Sequence, residues 1–184
     1  MGQTSDSSLM DVELKDVGNS PLYFGILGES RLDLSPRMQS LLARRLLALL
    51  VSRHYGLESL PEIATDGNGK PYFPNHRDIH FSLSHSRNVA VAVVASAPIG
   101  CDVEHISDFE LTPELKDLCL NAAEQSIIDR SAAPFVEFTR IWTRKESIIK
   151  RSGHIPDNPA TWPSEDSDVV TLAYPSFILS IAPS

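Results

Sequence analysis

The sequence predicts an α+β protein, on two observations. Strand-like runs at 79–84, 89–95 and 99–104 follow one another closely enough to pair locally, and 169–173 and 177–181 form a second such group. Helical stretches lie before and between these groups rather than after each strand, which does not fit a doubly wound parallel sheet. With 184 residues, 42% of them hydrophobic, the chain can bury a core as one compact unit or as two small half-domains sharing an interface. No repeat is visible at solenoid periods.

Taken in order, residues 1–20 are polar and aperiodic and read as a loose leader. They have neither a basic n-region nor an apolar h-region, so no secretory signal is expected, and Asp6 stands where a myristoylation motif needs Ser or Thr. Residues 22–27 alternate as a strand. Ser35-Pro36 supplies an N-cap and a proline at the first helical position. The helix it opens aligns Leu41, Leu42, Leu46, Leu49 and Leu50, and Gly56 stops it. Asp66-Gly67-Asn68-Gly69 is a turn signal ahead of the first strand group. After that group, Thr112-Pro113 starts a short helix, a second runs from Glu124 to Arg130, and Pro134 begins a longer one ending near Gly153. Residues 154–167, rich in Pro, Asp and Ser, read as a loop before the closing strand pair.

The formal charge of -8 argues against a non-specific nucleic-acid binder. The charge is uneven. Arg31, Arg37, Arg44, Arg45 and Arg53 face only Asp33, and Arg140, Arg144, Lys145, Lys150 and Arg151 surround Glu146. Such clusters fit the handling of a small polyanion or, more commonly, solvated helix faces. Cys101 and Cys119 form no C-x-x-C pair, which supports neither a disulfide framework nor a zinc knuckle. The longest apolar stretch, 41–51, is too short to span a bilayer and contains Arg44 and Arg45, so a cytoplasmic, soluble protein is expected.

Three segments carry the chemistry. In Ile99-Gly100-Cys101-Asp102-Val103-Glu104, strand alternation puts Asp102 and Glu104 on one face and Ile99, Cys101 and Val103 on the other. Gly100 leaves room for a ligand's phosphates to approach the backbone. Paired carboxylates of this kind suit Mg²⁺, which takes few protein ligands and completes its shell with water and phosphate oxygens. A solvated polar strand face is the commoner origin of D-x-E alone. Within 138–150, helical spacing aligns Trp142, Glu146 and Lys150, with Phe138 stacked above Trp142. Glu146 could be a third carboxylate or a general base, and Lys150 a phosphate ligand; the plainer alternative is an exposed i,i+4 pair worth ~0.3 kcal/mol.

The third segment is Gly69-Lys70-Pro71 with Phe81-Ser82-Leu83-Ser84-His85-Ser86. It is not a Walker loop, because the spacing is wrong and Pro71 follows the lysine. Nor is it a Ser–His hydrolase dyad, because sequential Ser84 and His85 face opposite sides of a strand. A strand end whose hydroxyl, imidazole and N–H groups meet phosphate fits better. His76 and His80 are read as structural histidines.

In order and spacing, G-K-P, F-S-L-S-H-S, P-I-G-C-D-V-E and I-W-T-R-K-E-S-I-I-K resemble the surfactin-type 4'-phosphopantetheinyl transferases, above all their short bacterial members, across 35–153. The resemblance implies two similar α+β halves with pseudo-twofold symmetry, here 21–97 and a shortened 98–184, with the active site in the cleft between them. It implies Mg²⁺-dependent transfer of phosphopantetheine from coenzyme A to a serine of an apo acyl or peptidyl carrier protein, releasing adenosine 3',5'-bisphosphate. Asp102, Glu104 and Glu146 match the family's metal-binding carboxylates, Glu146 also its proposed base, and Lys150 a lysine near the coenzyme A phosphates. Ser84 and His85 match the segment contacting those phosphates, Lys70 and Pro71 the turn beside the adenosine, and Arg37 lies near the 3'-phosphate ligands. The residues leave open whether Glu146 or a water takes the hydroxyl proton. The Arg140–Arg151 cluster could steer an acidic carrier or be consumed by coenzyme A. No nucleic acid or membrane partner is implied, and a monomer suffices. A non-catalytic coenzyme A or carrier binder and a Mg²⁺-dependent phosphohydrolase are the alternatives.

Overall fold

The computed structural model describes residues 12–16, 22–27, 34–107 and 110–184. The readings made at Asp6, Arg31 and Asp33 lie outside these residues. The first helix, α1 (Pro36–Tyr55), begins at Ser35, whose hydroxyl accepts the Met38 N–H, and ends at Gly56, whose φ of 68° lets its N–H return to the Ser52 carbonyl. Its buried face is Leu42, Ala43, Leu46, Leu47, Leu50 and Val51. Leu41 and Leu49, expected on the apolar stripe, are instead 50% and 49% exposed. The 42/43, 46/47, 50/51 pairs recur at helical period and set the face toward the sheet, and Leu41 and Leu49 fall outside it.

The helix covers an antiparallel sheet of β1 (Val12–Asp16), β2 (Leu22–Leu27), β5 (His80–Ser86) and β6 (Val89–Ala95), in the order β1-β2-β6-β5. β1 corrects one expectation: residues 12–16 are an edge strand paired with β2, not part of a loose leader. Val-Glu-Leu-Lys-Asp does alternate apolar with charged residues, but over five residues beside polar sequence the signal is weak. Between α1 and β5, the short strands β3 (Ala64–Thr65) and β4 (Pro71–Tyr72) pair around the predicted turn. There the Asp66 carboxylate accepts the N–H groups of Asn68 and Lys70, each at 2.9 Å, and Gly69 takes a φ of 84°.

The second sheet holds β7 (Gly100–His105), β8 (Val170–Ala173) and β9 (Phe177–Ala182), ordered β7-β9-β8 and antiparallel. Helices α2 (Pro113–Cys119), α3 (Ala122–Asp129) and α4 (Pro134–Ser152) come between β7 and β8. The segment read as a loop at 154–167 includes a 3-10 turn at Pro159–Thr161 and buries Trp162.

β6 explains how these parts stack. All seven of its residues are buried. Val89, Val91, Val93 and Ala95 pack with Ile99, Cys101, Val103, Leu179 and Ile181 of the second sheet's side. Ala90, Ala92 and Val94 join the leucines of α1 with Phe73 and Phe81. Period-two alternation therefore makes β6 the wall between two cores. The layers run α1, first sheet, second sheet, α4. Each half sets one helix of about five turns on an antiparallel sheet, related by an approximate twofold, and the second sheet has three strands against four. Among the described residues no helix is long and apolar enough to cross a membrane.

Candidate active site between the two halves

Because Cys101 and Val103 face the core, Asp102 and Glu104 face α4. The helix comes close. A Cβ on Gly100 would lie 2.0 Å from the Ser147 carbonyl oxygen and 2.4 Å from the Arg151 nitrogen. Gly100 thus makes room for the backbone of α4, not for the phosphates that the sequence suggested. The close approach brings Glu146 and Lys150, one turn apart on α4, to the carboxylates of β7.

Lys150 Nζ sits 2.5 Å from Asp102 Oδ1 and donates to Ser84 Oγ at 3.3 Å, while Ser84 Oγ donates to the same Asp102 oxygen at 2.8 Å. Lys150 therefore pairs with Asp102 of its own half and reaches Ser84 across the seam, rather than pairing with Glu146 on an exposed helix. A cavity of about 300 Å³ is lined here by Ser84, His85, Asp102, Glu104, Glu146 and Lys150, with Ser40 and Ala43 from α1 and Leu83. A second, also of about 300 Å³, is lined by Asn68, Gly69, Lys70, Pro71, Phe81 and Trp162 and shares Leu83, Glu146 and Lys150 with the first. Residues from the α1 face, the β4 turn, β5, β7, α4 and the segment around Trp162 thus border one connected set of side chains.

The electrostatics are those of crowded acids. Burial, then the neighbouring Asp102 charge, pushes Glu104 up to about 7 against the opposing Ser86 hydrogen bond and Lys150. Burial and Asp102 likewise raise Glu146. For Lys150, burial works against the ammonium, but Asp102 and the other acids outweigh it and its pKa is raised. Asp102 is 3% exposed, and its Oδ2 is buried with no hydrogen-bond partner among the described residues. A buried, unpartnered carboxylate oxygen flanked by two more acids is a cation-seeking arrangement. Among the described residues, no group of three or more His, Cys, Asp or Glu side chains is placed to hold a metal ion. An ion that fills most of its shell with water and phosphate oxygens needs no such cage, so the donor set fits Mg²⁺. Cys101, fully buried, has its thiol pushed up to about 12 by burial and is no nucleophile.

Other expectations fare differently. Lys70 and Pro71 border the second cavity, but the Lys70 ammonium already donates to the Arg151 carbonyl. Arg37 is exposed on the first turn of α1 and does not line the cavity; Ser40, one turn further, does. Ser40, Ala43 and Ser86 were missed, although two small residues in a leucine-rich helix and a third alternate serine were available signals. The basic cluster on α4 proves to be bound up in the fold. Arg144 donates to the carbonyls of Ser164, Asp166 and Val169. Lys145, 0% exposed, pairs with Glu124 at 2.7 Å and donates to the Cys119 carbonyl. Arg151 pairs with Asp166 at 2.8 Å, and Arg140 with Glu137 at 2.7 Å. Lys145 is thereby a buried strut and Arg144 is held by three carbonyls, while Arg140, 39% exposed, keeps a surface position. Phe138 does stack on Trp142, with centroids 6.4 Å apart, and Trp142 on Trp162 at 5.7 Å. His80 has its pKa lowered by burial and by Lys70 and is no part of a metal cluster among the described residues.

Residues 98–156, which contain β7 and α4, match the family model of the 4'-phosphopantetheinyl transferase superfamily. The 4'-phosphopantetheinyl transferase AcpT of Escherichia coli K12 is 35% identical over 121 residues, covering 64% of this chain and 60% of its own length. AcpT of Salmonella typhi is 33% identical over 108 residues, 57% of this chain and 55% of its own. Enterobactin synthase component D of Escherichia coli K12 is 33% identical over 112 residues, 60% of this chain and 52% of its own. The chain spans between half and two thirds of the length of these relatives. Over residues 98–156, which carry Asp102, Glu104, Glu146 and Lys150, the chain is thus similar to the 4'-phosphopantetheinyl transferase superfamily.

Proposed function

We propose that the protein transfers the 4'-phosphopantetheine arm of coenzyme A to a serine hydroxyl of an apo acyl or peptidyl carrier protein, with Mg²⁺ as cofactor and adenosine 3',5'-bisphosphate as leaving group. The observation that carries this reading is the convergence of Asp102, Glu104, Glu146, Lys150, Ser84 and His85 on one cavity at the seam. Similarity to transferases of this type supports the reaction class.

In this reading Asp102, through its unpartnered Oδ2, and Glu104 and Glu146 would hold the magnesium ion. When bound, the ion supplies Lewis-acid stabilisation of charge growing on the pyrophosphate oxygens. Glu146, a carboxylate on the cavity wall, accepts the proton of the attacking carrier hydroxyl. The new bond joins the serine oxygen to the β-phosphorus, and the bond to the bridging oxygen breaks. Lys150, kept cationic by Asp102, meets the charge on the departing bisphosphate, with His85 beside it at the exposed edge of the cavity. The second cavity, between the Lys70-Pro71 turn and α4, would take the adenosine end.

The test is to incubate the protein with coenzyme A, Mg²⁺ and a panel of apo carrier proteins, and to weigh the carriers by mass spectrometry. A gain of one phosphopantetheine on the carrier, lost when Mg²⁺ is chelated, is expected. Release of phosphate without any acceptor would instead indicate a phosphohydrolase, and binding without turnover a non-catalytic homologue.

A further inference from the structure

Every second residue of β5 from Ser82 to Ser86 is a serine, and the three hydroxyls repeat one contact along β7. Ser82 Oγ accepts the Cys101 N–H at 3.1 Å, Ser84 Oγ the Val103 N–H at 3.2 Å, and Ser86 Oγ the His105 N–H at 3.1 Å. β5 and β7 are edge strands of two different sheets, so these side chains stand in for the carbonyls that a sheet neighbour would offer. Two of the hydroxyls do more. Ser84 donates to Asp102 Oδ1 at 2.8 Å, and Ser86 donates to Glu104 Oε2 at 2.9 Å.

We propose that Ser86 is a positioning residue for Glu104: its hydroxyl, fixed by the His105 N–H, holds the Glu104 carboxylate toward the cavity where the metal ion binds. The inference rests on the proposed function, in which Glu104 is a metal ligand. Without the Ser86 hydrogen bond, the repulsion of Asp102 and Glu146, offset only by Lys150, and several rotatable bonds leave the Glu104 carboxylate free to swing from the cavity. The hydrogen bond from Ser86 opposes that swing before any cation arrives. Ser84 has Lys150 as an additional partner, so the effect of Ser86 on its carboxylate is the simpler to isolate. Hydrogen bonds that orient a ligand typically change metal affinity about 10- to 100-fold.

Mn²⁺ serves as the probe, titrated into the full chain with coenzyme A present and followed by electron paramagnetic resonance of the free ion. Ser86→Ala is expected to weaken Mn²⁺ binding about tenfold or more. Ser86→Thr, which keeps the hydroxyl, is expected to bind as the unaltered protein does. In a Glu104→Ala background, Ser86→Ala is expected to add no further loss, which a general structural role would not reproduce. If Ser86→Ala fails to fold, Ser86→Cys gives the same comparison with the volume kept. Equal affinity in the unaltered protein and Ser86→Ala overturns this proposal and leaves the proposed function standing. So does a loss that persists in the Glu104→Ala background. A protein that binds Mn²⁺ but modifies no carrier sinks the proposed reaction instead, and one that binds no Mn²⁺ overturns both.

Discussion

The two long helices start from the same design and end with opposite contents. Both α1 and α4 open with a proline in the first turn, close on a glycine in the left-handed conformation, and lie on an antiparallel sheet. The sheet-facing side of α1 is almost wholly apolar, with Leu46, Leu47, Leu50 and Val51 fully buried. α4 instead buries Thr143, Lys145 and Ser147 and turns Glu146 and Lys150 to the seam. One helix holds its half together almost wholly by exclusion of water; the other also buries Phe138, Ile141, Ile148 and Ile149 but adds paired polar groups, and its Glu146 and Lys150 carry charge into a cavity. Repeating a helix-on-sheet unit lets one copy supply mostly scaffold, with Ser84 and His85 at its edge, and the other the acids and the lysine of the site.

Substitutions can break this contrast, beginning with the largest expected effect. Asp102→Ala should lower carrier modification about a thousandfold or more, since several kcal/mol of charge stabilisation depend on the metal. Circular dichroism of that variant should still show the folded protein; full activity would count against the site. Lys145→Ala should destabilise the protein by about 3–5 kcal/mol in urea unfolding, because it strands Glu124 in the interior. On the α1 side, Leu46→Ala should cost about 2–5 kcal/mol of stability through the cavity it leaves, with kcat of the folded fraction unchanged. A fall in kcat for Leu46→Ala would show that α1 is more than scaffold. Gly100→Ala should cost more than the about 1–3 kcal/mol of ordinary overpacking, because the new methyl meets the α4 backbone at 2.0 and 2.4 Å and pushes the helix off β7. Unlike Leu46→Ala, it should reduce activity as well, measurable on the same carrier assay.

What the sequence made legible follows the same division. The period-two run at 99–104 identified both the core face and the acid face of β7, and the caps at Ser35, Gly56 and Gly153 marked helix ends correctly. These are local rules, satisfied by neighbours in the chain. The edge strand β1, the close approach at Gly100 and the internal use of Arg144, Lys145 and Arg151 were not legible. β1 pairs with its neighbour β2 and was hidden only by its short, weak alternation; the others depend on partners further along the chain: Gly100 on the Ser147 carbonyl, Lys145 on Glu124, Arg151 on Asp166. A cation count cannot tell a steering patch from a buried strut until those partners are in place. The site acids were singled out by type and spacing, but their meeting with Ser40 and Ser86 across the seam is a product of tertiary packing.

The most direct test is a crystal structure of the protein with coenzyme A and Mn²⁺, reading the metal by its anomalous scattering. The account predicts one peak bonded to Asp102 Oδ2, with Glu104 and Glu146 around it and the pyrophosphate alongside Lys150. A peak elsewhere, or coenzyme A seated away from the Lys70-Pro71 turn and α4, would contradict it.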